Sequence, residues 1–379
     1  MKIRKILVLS LLPLLFIILS LAYILIKKSP NPAAEIRQAN DRIQECLAVR
    51  GGNYASSKLE EARSYYDSSV NAWKNENQRW FIFRNYDASR NHALKASELA
   101  RQAIAESLFN ENQTRQKLEK IISEIQKNIT LYDSVLHRIP LNGKERQNLN
   151  NGKINYSEGL LLYEKKDFPG ALKKMASAAL MFDPLADSCI ARLQKYFTSH
   201  DKWKNDIEAT LKWSRVNKSR VILIDKFSRK CQLYENGNLI SEYGIELGKN
   251  PLDNKTRQGD FATPEGAYEV IKKKSGIHTR YHKALLINYP NDEDKEVFQQ
   301  KKKAGVLDPD DKIGGAIEIH GHGGKGADWT EGCIALRNEE MDVVYNFARV
   351  GTRVTIAGSV RPLSDFLSEQ DLSDINIEE

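Results

Sequence analysis

Residues 317–336 read Ile-Glu-Ile-His-Gly-His-Gly-Gly-Lys-Gly-Ala-Asp-Trp-Thr-Glu-Gly-Cys-Ile-Ala-Leu. A short apolar strand ends at His320-Gly321. A loop containing Gly323, Gly324 and Gly326 follows, and Gly332-Cys333 then leads back into an apolar run. Such a loop can fold back, set an imidazole beside a thiol and expose backbone N–H groups. A thiol becomes a good nucleophile near neutral pH when a neighbouring base takes its proton, and backbone N–H groups can hold a developing oxyanion. One His and one Cys form a weak signal alone, because a buried cysteine is usually inert. The clustered glycines, Trp329 and a helix start at Asn338 strengthen the catalytic reading. A zinc site built from His320, His322, Asp328 and Cys333 is the competing assignment; the Gly-Cys-Ile context favours a nucleophile.

Outward from this stretch, the second half of the chain is mainly β. Apolar runs at 221–225, 231–234, 239–245, 267–271, 284–288, 316–320 and 352–357 read as strands. Asn236-Gly237 marks a hairpin turn. Asn338 is expected to cap a helix through Val350. His278 and His282 stand in a basic stretch and read as surface residues or, at most, cleft-lining ones.

Residues 30–213 are helical in pattern. Ala93, Ala96, Leu99, Ala100 and Ala103 keep helical spacing, as do Leu118, Ile121, Ile122, Ile125 and Ile129. Breaks are expected at Gly51-Gly52, at Pro140–Gly143 and at Pro184. Residues 152–182 read as a helix pair turning at Lys166-Asp167-Phe168. Its small-residue spacing is similar to a tetratricopeptide repeat, but two imperfect copies fall short of a solenoid, so a helical bundle is expected.

The chain has 379 residues, a net charge of +7 and four cysteines. That excludes a disulfide-dense scaffold, and no zinc-finger or RNA-binding signature points to nucleic acid. Cys46, Cys189 and Cys231 read as inert thiols, their disulfide status left open. Ile6 to Ile26 is a charge-free run of 21 residues, long enough to span a bilayer. With Lys2, Arg4 and Lys5 before it and no small-x-small exit, it reads as an uncleaved signal anchor. The expectation is a single-pass membrane protein with its N-terminus inside and its bulk exported. The division expected is 1–29 anchor, 30–213 helical region, 216–358 β-rich domain able to fold and react alone, and 359–379 acidic, disordered tail. The fold class is α+β.

Ile319-His320-Gly321 and Thr330-Glu331-Gly332-Cys333-Ile334 resemble the catalytic domain of the L,D-transpeptidases, the YkuD-like family. Thr263-Pro264-Glu265-Gly266 and the strand and turn Leu285–Asn291 resemble further family segments. Asp328-Trp329-Thr330-Glu331-Gly332-Cys333-Ile334-Ala335-Leu336 resembles a periplasmic subgroup, some of whose relatives cleave peptidoglycan links. The resemblance covers about Val216 to Ala357. It implies Cys333 as nucleophile and His320 as base, with Gly332, Thr330 and Gly321 forming the oxyanion hole or pocket. Substrate-binding candidates are Arg337, His322 and Trp329. Many members have Arg two residues after the Cys; this chain has Ala335 there, and Arg337 is the candidate substitute.

The implied reaction is attack of Cys333 on the diaminopimelate–D-Ala bond of a peptidoglycan stem tetrapeptide. A thioester forms, and an amine from another stem or an anchored protein resolves it. No metal or cofactor is implied. The placement implied is the bacterial inner membrane, single-pass, with the catalytic domain in the periplasm. The partners implied are peptidoglycan stem peptides and a wall-anchored or envelope protein met by the helical region. The alternatives are an L,D-specific hydrolase of crosslinks or protein–peptidoglycan links, and a non-enzymatic wall-binding scaffold.

Overall fold

The computed structural model describes residues 29–373, together with Pro13, residues 15–20 and Tyr23. It divides into two compact units: residues 1–122 with 158–175, and residues 123–157 with 176–379. The elements in order are helices α1 (Ala33–Ala48), α2 (Gly51–Tyr54), α3 (Ser56–Gln78), α4 (Asp87–Ser134), α5 (Gly143–Glu164), α6 (Phe168–Phe197) and α7 (His200–Val216). Strands β1 (Arg220–Asp225), β2 (Lys230–Glu235), β3 (Asn238–Gly244), β4 (Gly266–Ser275) and β5 (Lys283–Ile287) follow. Then come α8 (Asp292–Lys303), β6 (Glu318–His320), β7 (Ile334–Ala335), α9 (Asn338–Phe347), β8 (Arg353–Ala357) and a short α10 (Glu369–Ser373).

The first unit is a helical bundle. Ile43, Cys46, Leu59, Ala62, Leu99, Ala100 and Ala103 form its core, each large apolar side chain contributing roughly 1.5–3 kcal/mol on burial. The alanine stripe of α4 is therefore core, because only small side chains let the helix backbones approach. Gly159 plays the same part in the α5–α6 pair: a Cβ there would come within 2.9 Å of the Met175 Cε. The turn expected at Lys166 is present, with that residue at φ 60°. The break expected at Pro184 is not, since α6 runs through it.

The second unit carries one eight-stranded mixed sheet, ordered β3-β2-β1-β8-β4-β5-β6-β7. β1 pairs parallel with β8 and β6 parallel with β7, while the other pairings are antiparallel. Alternation along the strands delivers Ile222, Ile224, Leu233, Val270, Leu285, Ile319 and Val354 to one core. α7 packs across β1, β2, β4 and β8, and its Trp203 lies so close to Gly358 that a Cβ there would overlap the indole.

Beneath this contact lies a fully buried lysine, Lys226. Its Nζ donates to Glu265 at 2.6 Å and to the carbonyls of Asp253 and Thr263 at 2.9 Å. Glu265 also accepts from Trp203 Nε1 at 2.9 Å and from Tyr196 Oη at 3.1 Å. A buried charge persists only with such pairing. The tail is ordered through Ser373 rather than unstructured: Leu367 is buried, and Phe366 packs on Phe227 with centroids 4.8 Å apart.

The single-pass inner-membrane placement does not stand. Among the described residues no helix is long and apolar enough to cross a membrane. Most of Ile6–Ile26 lies outside the described residues.

Candidate active site

The parallel register of β6 and β7, Ile319 beside Ile334 and His320 beside Ala335, brings the end of the His320 strand alongside the entry from Cys333. The loop between them closes because Gly323 donates to the Leu336 carbonyl at 2.7 Å and Leu336 to the His320 carbonyl at 2.8 Å. Gly332 sits at φ +126°, a conformation open mainly to glycine, and a Cβ there would stand 2.6 Å from the Ala262 carbonyl oxygen.

His320 is completely buried. Its Nδ1 lies 2.6 Å from the Gly321 carbonyl oxygen. A carbonyl only accepts, so Nδ1 carries the proton and Nε2 presents its lone pair. That Nε2 has no hydrogen-bond partner among the described residues. Burial pushes the imidazole pKa down from 6.5 to about 4; the Gly321 bond and Glu318 oppose this, and the charges of Arg280 and His322 reinforce it. The ring is therefore neutral at pH 7, the form that accepts a proton.

Cys333 is half-buried, its Sγ 3.8 Å from the Ala316 carbonyl. Burial raises the thiol pKa, and the Glu318 backbone amide, Arg280 and Lys255 pull against that. At neutral pH the thiol and the imidazole therefore both rest uncharged. Thr330 ties the loop: its Oγ1 donates to the Cys333 carbonyl at 2.7 Å and accepts from the Gly332 N–H at 3.2 Å. The Gly332 N–H is thereby occupied. The Cys333 N–H makes no hydrogen bond to the described residues.

Gly321 supplies the carbonyl that orients His320, and a Cβ on it would crowd Asn338 Oδ1 at 2.7 Å. Trp329 stands edge-on to His320 at 6.0 Å between centroids, fixed by Nε1 donating to Glu246 at 2.7 Å. His322 is exposed, and its N–H donates to Asn338 Oδ1. Asn338 is therefore the first residue of α9, spent on the loop rather than on a cap. Arg337 does not face Cys333; it lines a separate cavity of about 860 Å³ with Arg138 and Asp328. Among the described residues no three His, Cys, Asp or Glu side chains are grouped to hold a metal ion. His282 binds Asp342 at 2.6 Å and is not among the residues that line the cleft at Cys333.

Cys333 opens into a cleft of about 920 Å³. Two of its lining residues were not picked out from sequence. Tyr281 lies flat on His320, centroids 3.6 Å apart and 10° from parallel, and Arg280 donates to the Tyr281 hydroxyl at 2.9 Å. The signal available was positional: Ala284 pairs with His320, so residues just before β5 must reach the end of β6.

Residues 219–356, which hold this sheet and both His320 and Cys333, match the family model of YkuD, the L,D-transpeptidase catalytic domain. This segment is an L,D-transpeptidase-type catalytic domain. A curated Escherichia coli K12 protein, YafK, itself named only provisionally as an L,D-transpeptidase, is 30% identical over 130 residues, 33% of this chain and 46% of the relative. The same protein of Escherichia coli O157:H7 matches equally. The chain thus spans about half the length of the curated relatives it matches. Among solved structures, Bd1075 of Bdellovibrio bacteriovorus is similar at 25% identity with a TM-score of 0.30, covering 38% of this chain and 50% of that one. An L,D-transpeptidase of Mycobacterium smegmatis is similar at 12% identity with a TM-score of 0.25, covering 36% and 58%.

Proposed function

We propose that the chain is a peptidoglycan L,D-transpeptidase acting through a cysteine thioester. His320 Nε2 takes the proton of Cys333 as Sγ attacks the diaminopimelate–D-Ala carbonyl of a stem tetrapeptide. The oxyanion is met by the Cys333 N–H. Collapse expels D-Ala, whose nitrogen takes the proton back from His320 Nε2, and leaves a thioester. An amine from a second stem peptide, deprotonated by the same Nε2, then accepts the acyl group and regenerates the thiol. The observation that carries this reading is the buried, neutral His320, with Nδ1 locked on Gly321 and Nε2 left without a partner.

In this reading residues 216–358 hold the chemistry, and the helical region serves position or partner binding. The test is incubation of the purified chain with disaccharide tetrapeptides, with and without an added amine acceptor, followed by mass spectrometry. Release of D-Ala with transfer to the amine supports a transpeptidase. Tripeptide products alone, or severed crosslinks, would assign a hydrolase instead, and unchanged substrate would leave a binding scaffold.

A further inference from the structure

Basic side chains outnumber acidic ones in the lining of the cleft at Cys333. Lys249, Lys255, Arg280 and Lys312 line it, against the single acid Glu331. Lys255 is committed to Asp260 at 2.7 Å, and Lys249 lies 5.3 Å above the Phe261 ring. Arg280 is differently placed. It forms no ion pair among the described residues, and its charge reaches both Cys333 and His320. One of its N–H groups is held by the Tyr281 hydroxyl at 2.9 Å, and that phenol ring is clamped on His320.

Arg280 is exposed, as is the turn just before it, where Ile277 is 96% exposed and Gly276 sits at φ +58°; the hydroxyl of Tyr281, whose ring stacks on His320, ties the Arg280 guanidinium to the site. A guanidinium presents five N–H donors in a planar fork that fits a carboxylate in bidentate fashion. With one donor spent on Tyr281, the rest of the fork remains available beside the thiol. Arg337, the candidate substitute for the arginine of many family members, lines a different cavity.

We propose that Arg280 recognises a carboxylate of the peptide substrate beside Cys333, with Tyr281 as the positioning residue that holds it there. The inference rests on the peptidoglycan reading and deepens it: the ligand is an anionic stem peptide bound by its charge. Tyr281 and Arg280 link recognition to the base, since the phenol that orients the guanidinium also covers His320.

The test is calorimetric titration of the full chain carrying Cys333→Ala with synthetic L-Ala-γ-D-Glu-diaminopimelate-D-Ala. The same titration is run with versions in which each carboxylate in turn is an amide. One amidated peptide should bind roughly tenfold more weakly or worse. Adding Arg280→Ala should bring that ratio to about one, Arg280→Lys should keep part of it, and Tyr281→Phe should reduce it. If Arg280→Ala weakens every peptide alike or leaves the ratio intact, carboxylate recognition by Arg280 is overturned, as it is if no peptide binds. D-Ala release by the unmodified chain is measured in parallel. A chain that binds with an Arg280-dependent ratio yet releases no D-Ala overturns the proposed reaction while upholding the recognition.

Discussion

The phenol ring of Tyr281 lies flat on the imidazole of His320, with centroids 3.6 Å apart and planes 10° from parallel. This contact seals one face of the base from water. It helps keep the ring uncharged, because burial disfavours the imidazolium more than the Gly321 carbonyl and the Glu318 charge favour it.

Removing the ring should rehydrate the base. Tyr281→Ala is expected to move the His320 titration up from about 4 toward the ordinary 6.5, whereas Tyr281→Phe should leave it low. Histidine NMR signals followed against pH provide the check. Equal titration in Tyr281→Ala and the unmodified chain would show that the sheet alone keeps His320 dry.

The same burial makes stability depend on pH. His320 binds its proton near 6.5 when unfolded and near 4 when folded, so between those values the unfolded chain holds more protons. Stability contributed by the neutral ring is full above about 6.5 and lost as pH falls toward 4, on the order of 3 kcal/mol. Urea midpoints at pH 7.5 and pH 4.5 should differ less in His320→Asn than in the unmodified chain.

Glu265→Ala should be among the most damaging changes remote from the thiol. It leaves Lys226 buried without its counter-charge and strips Trp203 and Tyr196 of their acceptor. Breaking one side of a buried pair costs about 3–5 kcal/mol. Urea unfolding measures this, and replacing both partners by apolar residues should recover part of the loss.

Trp203 and Leu367 set the limits of a working fragment. Trp203→Ala removes an indole lodged between Gly358 and Glu265, a loss of about 3–5 kcal/mol. A fragment of residues 198–373 should therefore melt well above one of residues 205–362, which lacks both α7's first turn and the packed tail. Equal melting temperatures by circular dichroism would return the boundary to the β-rich segment alone.

Much of the site could be read from the chain because its key residues are near neighbours in sequence. His320, the glycine loop, Thr330 and Cys333 fall within one stretch, and glycine spacing alone announces a tight return. Tyr281 and Arg280 could not be read that way. Their role depends on the pairing of β5 with β6, a long-range register that no local pattern states.

β7 escaped notice because two residues cannot show an alternation of period two. α8 escaped because it is mostly charged, although Asn291 and Asp294 form a capping box that marks its start. Pro184 misled in the other direction: packing carries α6 through a residue that local propensity would use as a stop. The Lys226–Glu265 pair lay outside any hydrophobic pattern, since burial of a charge is decided only by what surrounds it.

The most direct test of the central claim is intact-mass measurement of the full chain quenched in acid during turnover of disaccharide tetrapeptide. The account predicts an adduct equal to the substrate minus D-Ala, mapping by peptide digestion to Cys333 and absent from Cys333→Ala. In His320→Ala it should form at least about a hundredfold more slowly. Turnover that persists in Cys333→Ala, or an adduct on Cys46, Cys189 or Cys231 instead, would contradict it.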